Sequence, residues 1–277
     1  MPTLAGEPDE TTPSTPPVDK EAAELLASSF GAEAARYDRT RPSYPDALIE
    51  RIVTTSPGPR VVEVGCGTGV LSRQLRAAGC EVLGVEHDER MAEFARGTGL
   101  TVEVSKFETW DPAVREFDAV VAGQSWHWVD SDQGIRQAAR VLRPGGVFVA
   151  LWHVFAPPDP IAEAFADSYQ RLAPETPFRV GHGREEALAS YRAGCVQTAD
   201  AFVGSGSFAN PDQWSAHWDH IYTTAEYLDL ISTMSPIALL KPDQLAELFA
   251  DVGAAIDALG GSFTSHYETL AVAVTRI

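Results

Sequence analysis

The stretch VVEVGCGTGVLSRQL, residues 61–75, changes from one hydrophobic periodicity to another across three glycines spaced two positions apart. Val61, Val62 and Val64 form the short apolar run that is typical of a strand buried on both faces. After the glycines, apolar residues recur at helical spacing over residues 70–75. Strand, glycine turn and helix in this order indicate a nucleotide-type site, because glycine lets a ligand approach the backbone closely.

The residues around this turn narrow the class of ligand. A Walker site needs Gly-Lys-Ser/Thr, whereas Gly69 is followed by Val-Leu-Ser, which argues against a nucleoside triphosphate. The dinucleotide fingerprint needs a glycine where this chain has Val70, which disfavours NAD or FAD and leaves them as an alternative. Glu63 stands in the strand just before the turn, where a carboxylate suits a cationic ligand better than a pyrophosphate.

A second apolar strand, EVLGVE at residues 81–86, ends in Glu86. A carboxylate at the end of the second strand can accept hydrogen bonds from both hydroxyls of a ribose. The alternative is a solvated carboxylate at a strand end, and the register with the glycine turn favours the ribose. A ribose without phosphate, beside a site for positive charge, points to S-adenosylmethionine, whose sulfonium and ammonium groups are cationic.

Several segments resemble known motifs in both order and spacing. Four of them, between about residues 34 and 153, resemble class I S-adenosylmethionine-dependent methyltransferases: VVEVGCGTG (61–69), GVEHDERM (84–91), FDAVVAGQSWHW (117–128) and RVLRPGGVFVALW (140–152). Three others resemble a subgroup that methylates small molecules and includes trans-aconitate-type enzymes: AARYDRTRPSYP (34–45), WHWVD (126–130) and YTTAEYLDLISTMS (222–235).

Alternating apolar strands and helices predict an α/β fold with a parallel sheet covered on both faces. With the resemblance, this implies a Rossmann-like, doubly wound seven-stranded sheet, mostly parallel, with an antiparallel last strand. The predicted strands are 60–64, 81–85, 102–105, 117–122, 147–152, 202–208 and 269–275. The predicted helices are 20–36, 45–54, 135–142, 161–172, 184–192 and 242–259, with a loop at 36–44.

The chain is predicted to hold one domain, residues 21–277. Residues 1–20, with five prolines and four carboxylates, are predicted to be a disordered tail. A change to helical stretches at about 155–195 predicts a helical cap over the active site.

The resemblance implies a set of cofactor-binding residues. Gly65, Gly67 and Gly69 would leave backbone groups free for the methionine part, with Glu63 orienting the loop or the ammonium group. Glu86 would bind the ribose. The other candidates lie near the adenine, at the end of the fourth strand or in the segment that closes over the cofactor: His87, Met91, Phe107, Glu108, Gln124, Tyr37 and Arg41. Phe107 stands where the family usually has a small residue.

His127 and His153 are the candidate catalytic residues, because they follow neighbouring strands and could face one pocket. An oxygen nucleophile of high pKa needs a base near neutrality, which favours histidine, whereas a carboxylate substrate needs no base. The alternative is that each histidine only satisfies a backbone carbonyl beside packed tryptophans. Tyr37, Arg41 and Tyr44 precede the fold and could close over the cofactor, where Arg41 could meet a carboxylate.

Composition limits the class of partner. Lys plus Arg number 21 and Asp plus Glu number 39, for a net charge of −18, which argues against nucleic acid as a substrate. Cys66, Cys80 and Cys195 are odd in number and lack zinc spacing, so no metal is expected, and they fit a reducing cytoplasm. No apolar run approaches the length of a membrane span, and no signal peptide is expected. The oligomeric state is left open.

The sequence therefore predicts an S-adenosylmethionine-dependent methyltransferase that acts on a small molecule, on a hydroxyl or carboxylate oxygen. Two alternatives stay open. One is a binding module that holds the cofactor without turnover, and the other is a nicotinamide-dependent oxidoreductase.

Overall fold

The computed structural model describes residues 33–175, 184–234, 237 and 240–277. The predicted tail at 1–20 and most of the helix predicted at 20–36 lie outside the described residues. The strands are β1 (Arg60–Val64), β2 (Glu81–Glu86), β3 (Thr101–Val104), β4 (Phe117–Gly123), β5 (Leu142–Ala156), β6 (Phe208–Thr223) and β7 (Ser262–Arg276). The helices are α1 (Ala34–Thr40), α2 (Asp46–Thr55), α3 (Val70–Ala77), α4 (Glu89–Gly97), α5 (Ser131–Val141), α6 (Asp159–Leu172), α7 (Arg184–Gly204), α8 (Thr224–Ser232) and α9 (Pro242–Ala258).

The seven strands form one sheet in the order β3-β2-β1-β4-β5-β7-β6. The β1–β2, β1–β4, β2–β3 and β4–β5 pairs are parallel, whereas β7 runs antiparallel to both β5 and β6. This confirms the predicted doubly wound sheet with an antiparallel last strand. The order reverses between β1 and β4, so the carboxyl ends of these two strands flank the crevice where ligands bind in such sheets.

Neighbouring residues of a strand point to opposite faces, and both faces of this sheet are buried. Val62 and Phe148 belong to a core on one face, beneath α5 and α7. Val61 and Leu151 belong to a second core on the other face, which also contains Leu75 of α3. Because both faces are covered, the strands consist of nearly continuous apolar runs, which is the pattern that predicted them.

Within the described residues of the segment at about 155–195, predicted to be a helical cap, α6 and the first part of α7 pack differently. Helix α6 joins a third core with α8 and α9, whereas α7 buries Leu188 and Cys195 against the sheet. Neither helix lines the cavity described below. The helical cap at about 155–195 and the limits of the domain, 21–277, stay predictions.

The strand predicted at 202–208 was wrong. Phe202 lies in α7 and stacks on Phe148, with ring centroids 4.1 Å apart, and β6 begins only at Phe208. A helix and a strand that are both buried give the same short apolar signal, so periodicity could not separate them here.

The loop predicted at 36–44 is also partly helical, since α1 covers Ala34–Thr40. Arg39 of this helix forms an ion pair with Asp229 of α8 at 2.8 Å, and Asp38 pairs with Arg73 of α3 at 2.7 Å. These contacts tie the segment before the fold to two later helices. In the part of the chain that the structure describes, no helix is long and apolar enough to cross a membrane.

Candidate active site

A cavity of about 1010 Å³ opens at the carboxyl ends of β1, β2, β4 and β5. Its volume lies at the upper end of the range for small-molecule sites, so it has room for more than a small metabolite. The cavity is lined by these residues of the predicted set: Tyr37, Arg41, Glu63, Gly65, Gly67, Glu86, His87, Met91, Phe107, Glu108, Gln124 and His153. Two predicted site residues, Gly69 and His127, do not line it.

The glycine turn presents its backbone to the cavity. Gly65 has φ +59° and lies so close to Ser125 that an added Cβ would be 2.7 Å from the Ser125 Cβ. Gly67 has φ +55°, and an added Cβ would meet no protein atom within 4 Å. The space beside Gly67 is therefore open to a ligand, while Gly65 is needed where β1 and the end of β4 approach each other.

Gly69 serves packing and lies outside the cavity lining. It precedes the first residue of α3 with φ +89°, and an added Cβ would clash with Leu100 Cδ1. The sequence could not separate this role from the roles of Gly65 and Gly67, because Leu100 comes from a turn about thirty residues later.

Glu86 holds the glycine turn from the end of β2. The residue is 5% exposed, Oε2 accepts a hydrogen bond from the Gly67 N–H at 2.8 Å, and Oε1 accepts one from the Asp88 N–H at 2.9 Å. His87 Nδ1 lies 3.1 Å from Oε1, and this contact raises the pKa of His87. A carboxylate offers about four acceptor positions, so Glu86 keeps acceptor capacity for a ligand hydroxyl.

Glu63 is the second carboxyl group beside the turn. It lies in β1, is 2% exposed and accepts a hydrogen bond from the Ser72 hydroxyl. Burial raises the pKa of Glu63 to about 8, against the lowering effect of the Ser72 hydrogen bond, and the charge of Glu86 raises it further. Glu63 is therefore mostly neutral near pH 7, and a cationic ligand beside it would favour the ionised form.

The wall beyond β3 is apolar with a polar edge. Phe107 is 3% exposed, and Met91 of α4 is equally buried. Glu108 Oε1 accepts a hydrogen bond from the Asp130 N–H at 2.9 Å, which ties this wall to the segment after β4. A flat apolar group can be enclosed here, with the Phe107 ring forming part of the wall.

Arg41 enters the site from the segment between α1 and α2. Its guanidinium carbon lies 4.4 Å from the centre of the Tyr37 ring, and Nη2 donates a hydrogen bond to the Thr233 carbonyl at 2.7 Å. Nε is buried and has no hydrogen-bond partner among the described residues. An unpartnered guanidinium N–H is a donor that an anionic ligand group can satisfy.

His153 lies at the end of the cavity formed by β5 and the segment before α2. The side chain is 7% exposed, its ring stacks on Tyr44 with centroids 4.4 Å apart, and Nδ1 lies 2.8 Å from Thr269 Oγ1. Burial lowers the pKa of His153 to about 3, and the nearby charge of Arg41 lowers it as well. Gln124, which has φ +55°, donates a hydrogen bond from Nε2 to the His153 carbonyl at 3.3 Å.

His127 is not brought into this site. It lies in a short 3₁₀ turn, Trp126–Trp128, with its side chain exposed and its ring 4.8 Å from that of Trp128. Trp126 takes the inward position of this turn and packs on Phe148 and Phe202. The expectation that both histidines face one pocket is therefore wrong for His127.

Several lining residues were missed by sequence reasoning. The sequence feature that came nearest to them was the family resemblance of segments 126–130 and 222–235, which assigned no role to an individual residue. They come from four separate parts of the chain: Ser125, Trp128, Asp130, Phe155, Leu230 and Tyr267.

Part of this chain is similar in sequence to known methyltransferases. Residues 61–146 match a family described as methyltransferase domain. An uncharacterized methyltransferase of Mycobacterium tuberculosis strain H37Rv is 35% identical over 131 residues, covering 46% of this chain and 53% of that protein. The malonyl-[acyl-carrier protein] O-methyltransferase of Enterobacter lignolyticus is 36% identical over 138 residues, covering 48% and 53%. The trans-aconitate 2-methyltransferase of Mycobacterium ulcerans is 29% identical over 150 residues, covering 52% and 56%.

A solved structure, that of a candidate type II methyltransferase from Anaeromyxobacter dehalogenans, matches with TM-score 0.60 at 23% identity. The match covers 85% of this chain and 97% of the other. At this identity the likeness shows the fold. The chain spans about half the length of the curated relatives it matches.

Proposed function

We propose that this chain, which carries the domain of the class I S-adenosylmethionine-dependent methyltransferases, transfers a methyl group to an oxygen atom of a small molecule. The cofactor of this family is S-adenosylmethionine, and the family resemblance expected from the sequence is confirmed by the match over residues 61–146.

One observation carries the proposal: a buried carboxylate that holds the glycine turn also faces the cavity. Glu86 Oε2 accepts a hydrogen bond from the Gly67 N–H, whereas Oε1 accepts one from the Asp88 N–H and also lies beside His87 Nδ1. Oε2 therefore keeps an acceptor position for one ribose hydroxyl, and the second hydroxyl would take the place of His87 at Oε1. The open space beside Gly67 would let a bound nucleoside lie against the backbone there. A phosphate would instead face two carboxyl groups, Glu63 and Glu86.

The rest of the cavity fits the same cofactor. The unpartnered Nε of Arg41 suits the methionine carboxylate, with Tyr37 beside it. Glu63 would stabilise the cationic end, because an adjacent positive charge favours its ionised form. The adenine would lie among the remaining proposed residues of the β2–β4 side: His87, Met91, Phe107, Glu108 and Gln124.

When bound, the cofactor supplies an electrophilic methyl carbon on a positively charged sulfur. The protein then has to align the acceptor oxygen and exclude water. Tyr44, Phe155 and Tyr267 line the acceptor end with aromatic rings, and Phe155 stacks on Tyr267 with centroids 4.6 Å apart. These walls favour a small acceptor that is enclosed during transfer.

The setting of the reaction follows from charge and cysteine chemistry. A net charge of −18 disfavours nucleic acid as the acceptor, which agrees with a small-molecule acceptor. Cys66, Cys80 and Cys195 are all free and buried. Free thiols fit a reducing compartment, and we place the reaction in the cytoplasm.

Turnover distinguishes this proposal from its rivals. The chain is incubated with methyl-labelled S-adenosylmethionine and a panel of small carboxylic acids, phenols and alcohols, and S-adenosylhomocysteine and labelled product are measured. We expect both to form with at least one acceptor. Binding of S-adenosylhomocysteine without product from any acceptor would favour the binding module. Binding of NADH with no binding of S-adenosylmethionine would favour the oxidoreductase.

Alanine is expected to have different effects at the two glycines: a loss of ligand affinity at Gly67 and a loss of stability at Gly69. Gly67→Ala adds a methyl group to the open space and is expected to weaken S-adenosylhomocysteine binding by about 5- to 150-fold, since overpacking costs about 1 to 3 kcal/mol. Gly69→Ala clashes with Leu100 instead and is expected to lower the free energy of unfolding by about 2 to 4 kcal/mol. Calorimetric titration and thermal denaturation measure the two effects.

Gly79→Ala is the matched control for backbone strain. Gly79 has φ +95°, has no atom within 4 Å of an added Cβ and does not line the cavity. This variant is expected to lose a little stability and no affinity. Equal affinity losses for Gly67→Ala and Gly79→Ala would contradict the position given to the nucleoside.

A further inference from the structure

The hydroxyl of Thr269, on β7, lies between two ring nitrogens. The Trp218 Nε1–H donates a hydrogen bond to Thr269 Oγ1 at 2.9 Å, and His153 Nδ1 lies 2.8 Å from the same oxygen. An indole nitrogen can only donate, so Thr269 accepts from Trp218. The remaining question is which way the hydrogen points between Thr269 and His153.

The Thr269 hydroxyl carries one hydrogen and needs one acceptor for it. Among the described residues, Trp218 and His153 are its hydrogen-bond partners, and Trp218 cannot accept. The hydrogen is therefore directed to His153 Nδ1, which accepts it. In a neutral imidazole one nitrogen accepts and the other carries the hydrogen, so this arrangement places the hydrogen on Nε2.

Nε2 is the unpartnered atom of the ring. It is buried and has no hydrogen-bond partner among the described residues, although His153 itself lines the cavity. The Pro42 backbone is close enough to act as a weak hydrogen-bond acceptor that raises the pKa of His153, although its geometry at Nε2 falls short of a full hydrogen bond. Pro42 and His153 both line the cavity, so a ligand oxygen that enters between them would be the hydrogen-bond acceptor for Nε2–H.

Building on the proposed function, we propose that His153 donates a hydrogen bond to the methyl acceptor instead of taking its proton, and that the acceptor is a carboxylate. Thr269 and Trp218 are the positioning residues, since they hold the ring in the Nε2–H form. The low pKa of His153 agrees with this form, because a neutral ring of such low basicity is a poor proton acceptor.

The other groups around His153 do not supply a base. Burial raises the pKa of the Tyr44 phenol well above its usual value, and it also raises the pKa of Tyr267, whose hydroxyl lies 2.7 Å from that of Tyr222. Arg41 is a cation. Glu63 is hydrogen-bonded by Ser72 beside the glycine turn. Among the described lining residues near His153, Glu63 is the group with a pKa near neutrality, at about 8, and the proposed function assigns it to the cationic end of the cofactor.

A carboxylate needs none of them. Its oxygen already carries the electron pair that forms the O–CH₃ bond, while the S–CH₃ bond breaks with its pair left on sulfur. No proton leaves, and the product is a neutral methyl ester. His153 Nε2–H can hold one carboxylate oxygen while the other attacks, and the ester carbonyl can accept the same hydrogen bond afterwards.

The tautomer can be read without any turnover. Long-range ¹⁵N–¹H correlation spectra of the full chain labelled with ¹⁵N-histidine distinguish Nε2–H from Nδ1–H. We expect Nε2–H for His153 in the wild type and in Thr269→Ser, which keeps the hydroxyl. Thr269→Val removes the donor to Nδ1 and is expected to lose this preference. An Nδ1–H form in the wild type, or an unchanged tautomer in Thr269→Val, would overturn the proposed role.

Two variants separate a donor from a base. Gln places an N–H near the position of Nε2, so His153→Gln is expected to keep methyl transfer within about tenfold of wild type. His153→Phe keeps the ring stack without the donor and is expected to lose about 10- to 150-fold, the range for a hydrogen bond to a charged group. A general base predicts losses of about 100-fold or more in both variants, which would contradict the donor role.

Matched acceptors test the substrate class. Carboxylic acids and the corresponding primary alcohols are compared as acceptors at saturating S-adenosylmethionine. Methyl esters from the acids are expected, with slower or no transfer to the alcohols. Preferential methylation of the alcohols would overturn this inference and leave the proposed function intact. Absence of S-adenosylhomocysteine binding would overturn the proposed function, while the tautomer would still decide the state of His153.

Discussion

Replacing Glu86 with alanine is expected to weaken S-adenosylhomocysteine binding by about 10- to 150-fold, because hydrogen bonds to charged groups contribute about 1.5 to 3 kcal/mol. The loss is expected at the upper end of this range. The variant loses the ribose acceptors and also the hydrogen bonds that fix the Gly67 and Asp88 N–H groups. Isothermal titration calorimetry measures the affinity, and circular dichroism checks that the variant is folded.

Glu81→Ala is the matched control for this experiment. Glu81 begins the same strand, but its side chain is exposed and lies outside the cavity. Glu81→Ala should bind as the wild type does, since surface substitutions change little. Glu86→Gln keeps one acceptor oxygen and turns its amide N–H₂ toward a backbone N–H, so we expect an intermediate loss. A change below threefold for Glu86→Ala would mean that the cavity holds something other than this nucleoside.

Glu63→Gln is expected to change the pH dependence of stability. The folded-state pKa of Glu63 is raised from 4.5 to about 8, so the folded protein binds a proton that the unfolded chain releases between these values. Stability is therefore full at low pH and is lost as pH rises toward the folded pKa. For a pKa of this size the loss from pH 5 to pH 8 is about 3 kcal/mol in the free energy of unfolding.

Glutamine imitates the neutral carboxyl group and removes this loss. Glu63→Gln is thus expected to be more stable than the wild type at pH 8 and similar at pH 5, as measured by urea denaturation of the ligand-free protein. The difference between variant and wild type isolates Glu63 from His87, whose pKa is raised by its contact with Glu86. Parallel curves for the two proteins from pH 5 to pH 8 would contradict a neutral Glu63.

The parts of the site that are local in sequence could be predicted from it. Glu63, Gly65 and Gly67 lie within five residues, and Glu86 ends the next strand, so register alone brings them together. Because connections between parallel strands are short and right-handed, the order of the strands and the position of these groups at neighbouring strand ends can be predicted. The same reasoning located β5 and therefore His153.

The parts that depend on distant packing could not be predicted. The sequence does not distinguish Gly69 from Gly65 and Gly67, because the contact of Gly69 with Leu100 exists only in the fold. It likewise does not show that Trp126, and not His127, points inward. The partners of His153 come from the β6–β7 hairpin: Trp218 is 65 positions later and Thr269 is 116 later. A hydrogen-bond chain across three strands leaves no periodic signal in any one of them.

A crystal structure of the wild-type chain grown with S-adenosylhomocysteine tests the proposed position of the nucleoside. We expect the ribose hydroxyls within hydrogen-bond distance of the Glu86 carboxylate, with the nucleoside passing over Gly67. We also expect the amino-acid end near Arg41 and Glu63. A nucleoside bound elsewhere, or a ribose turned away from Glu86, would contradict this position.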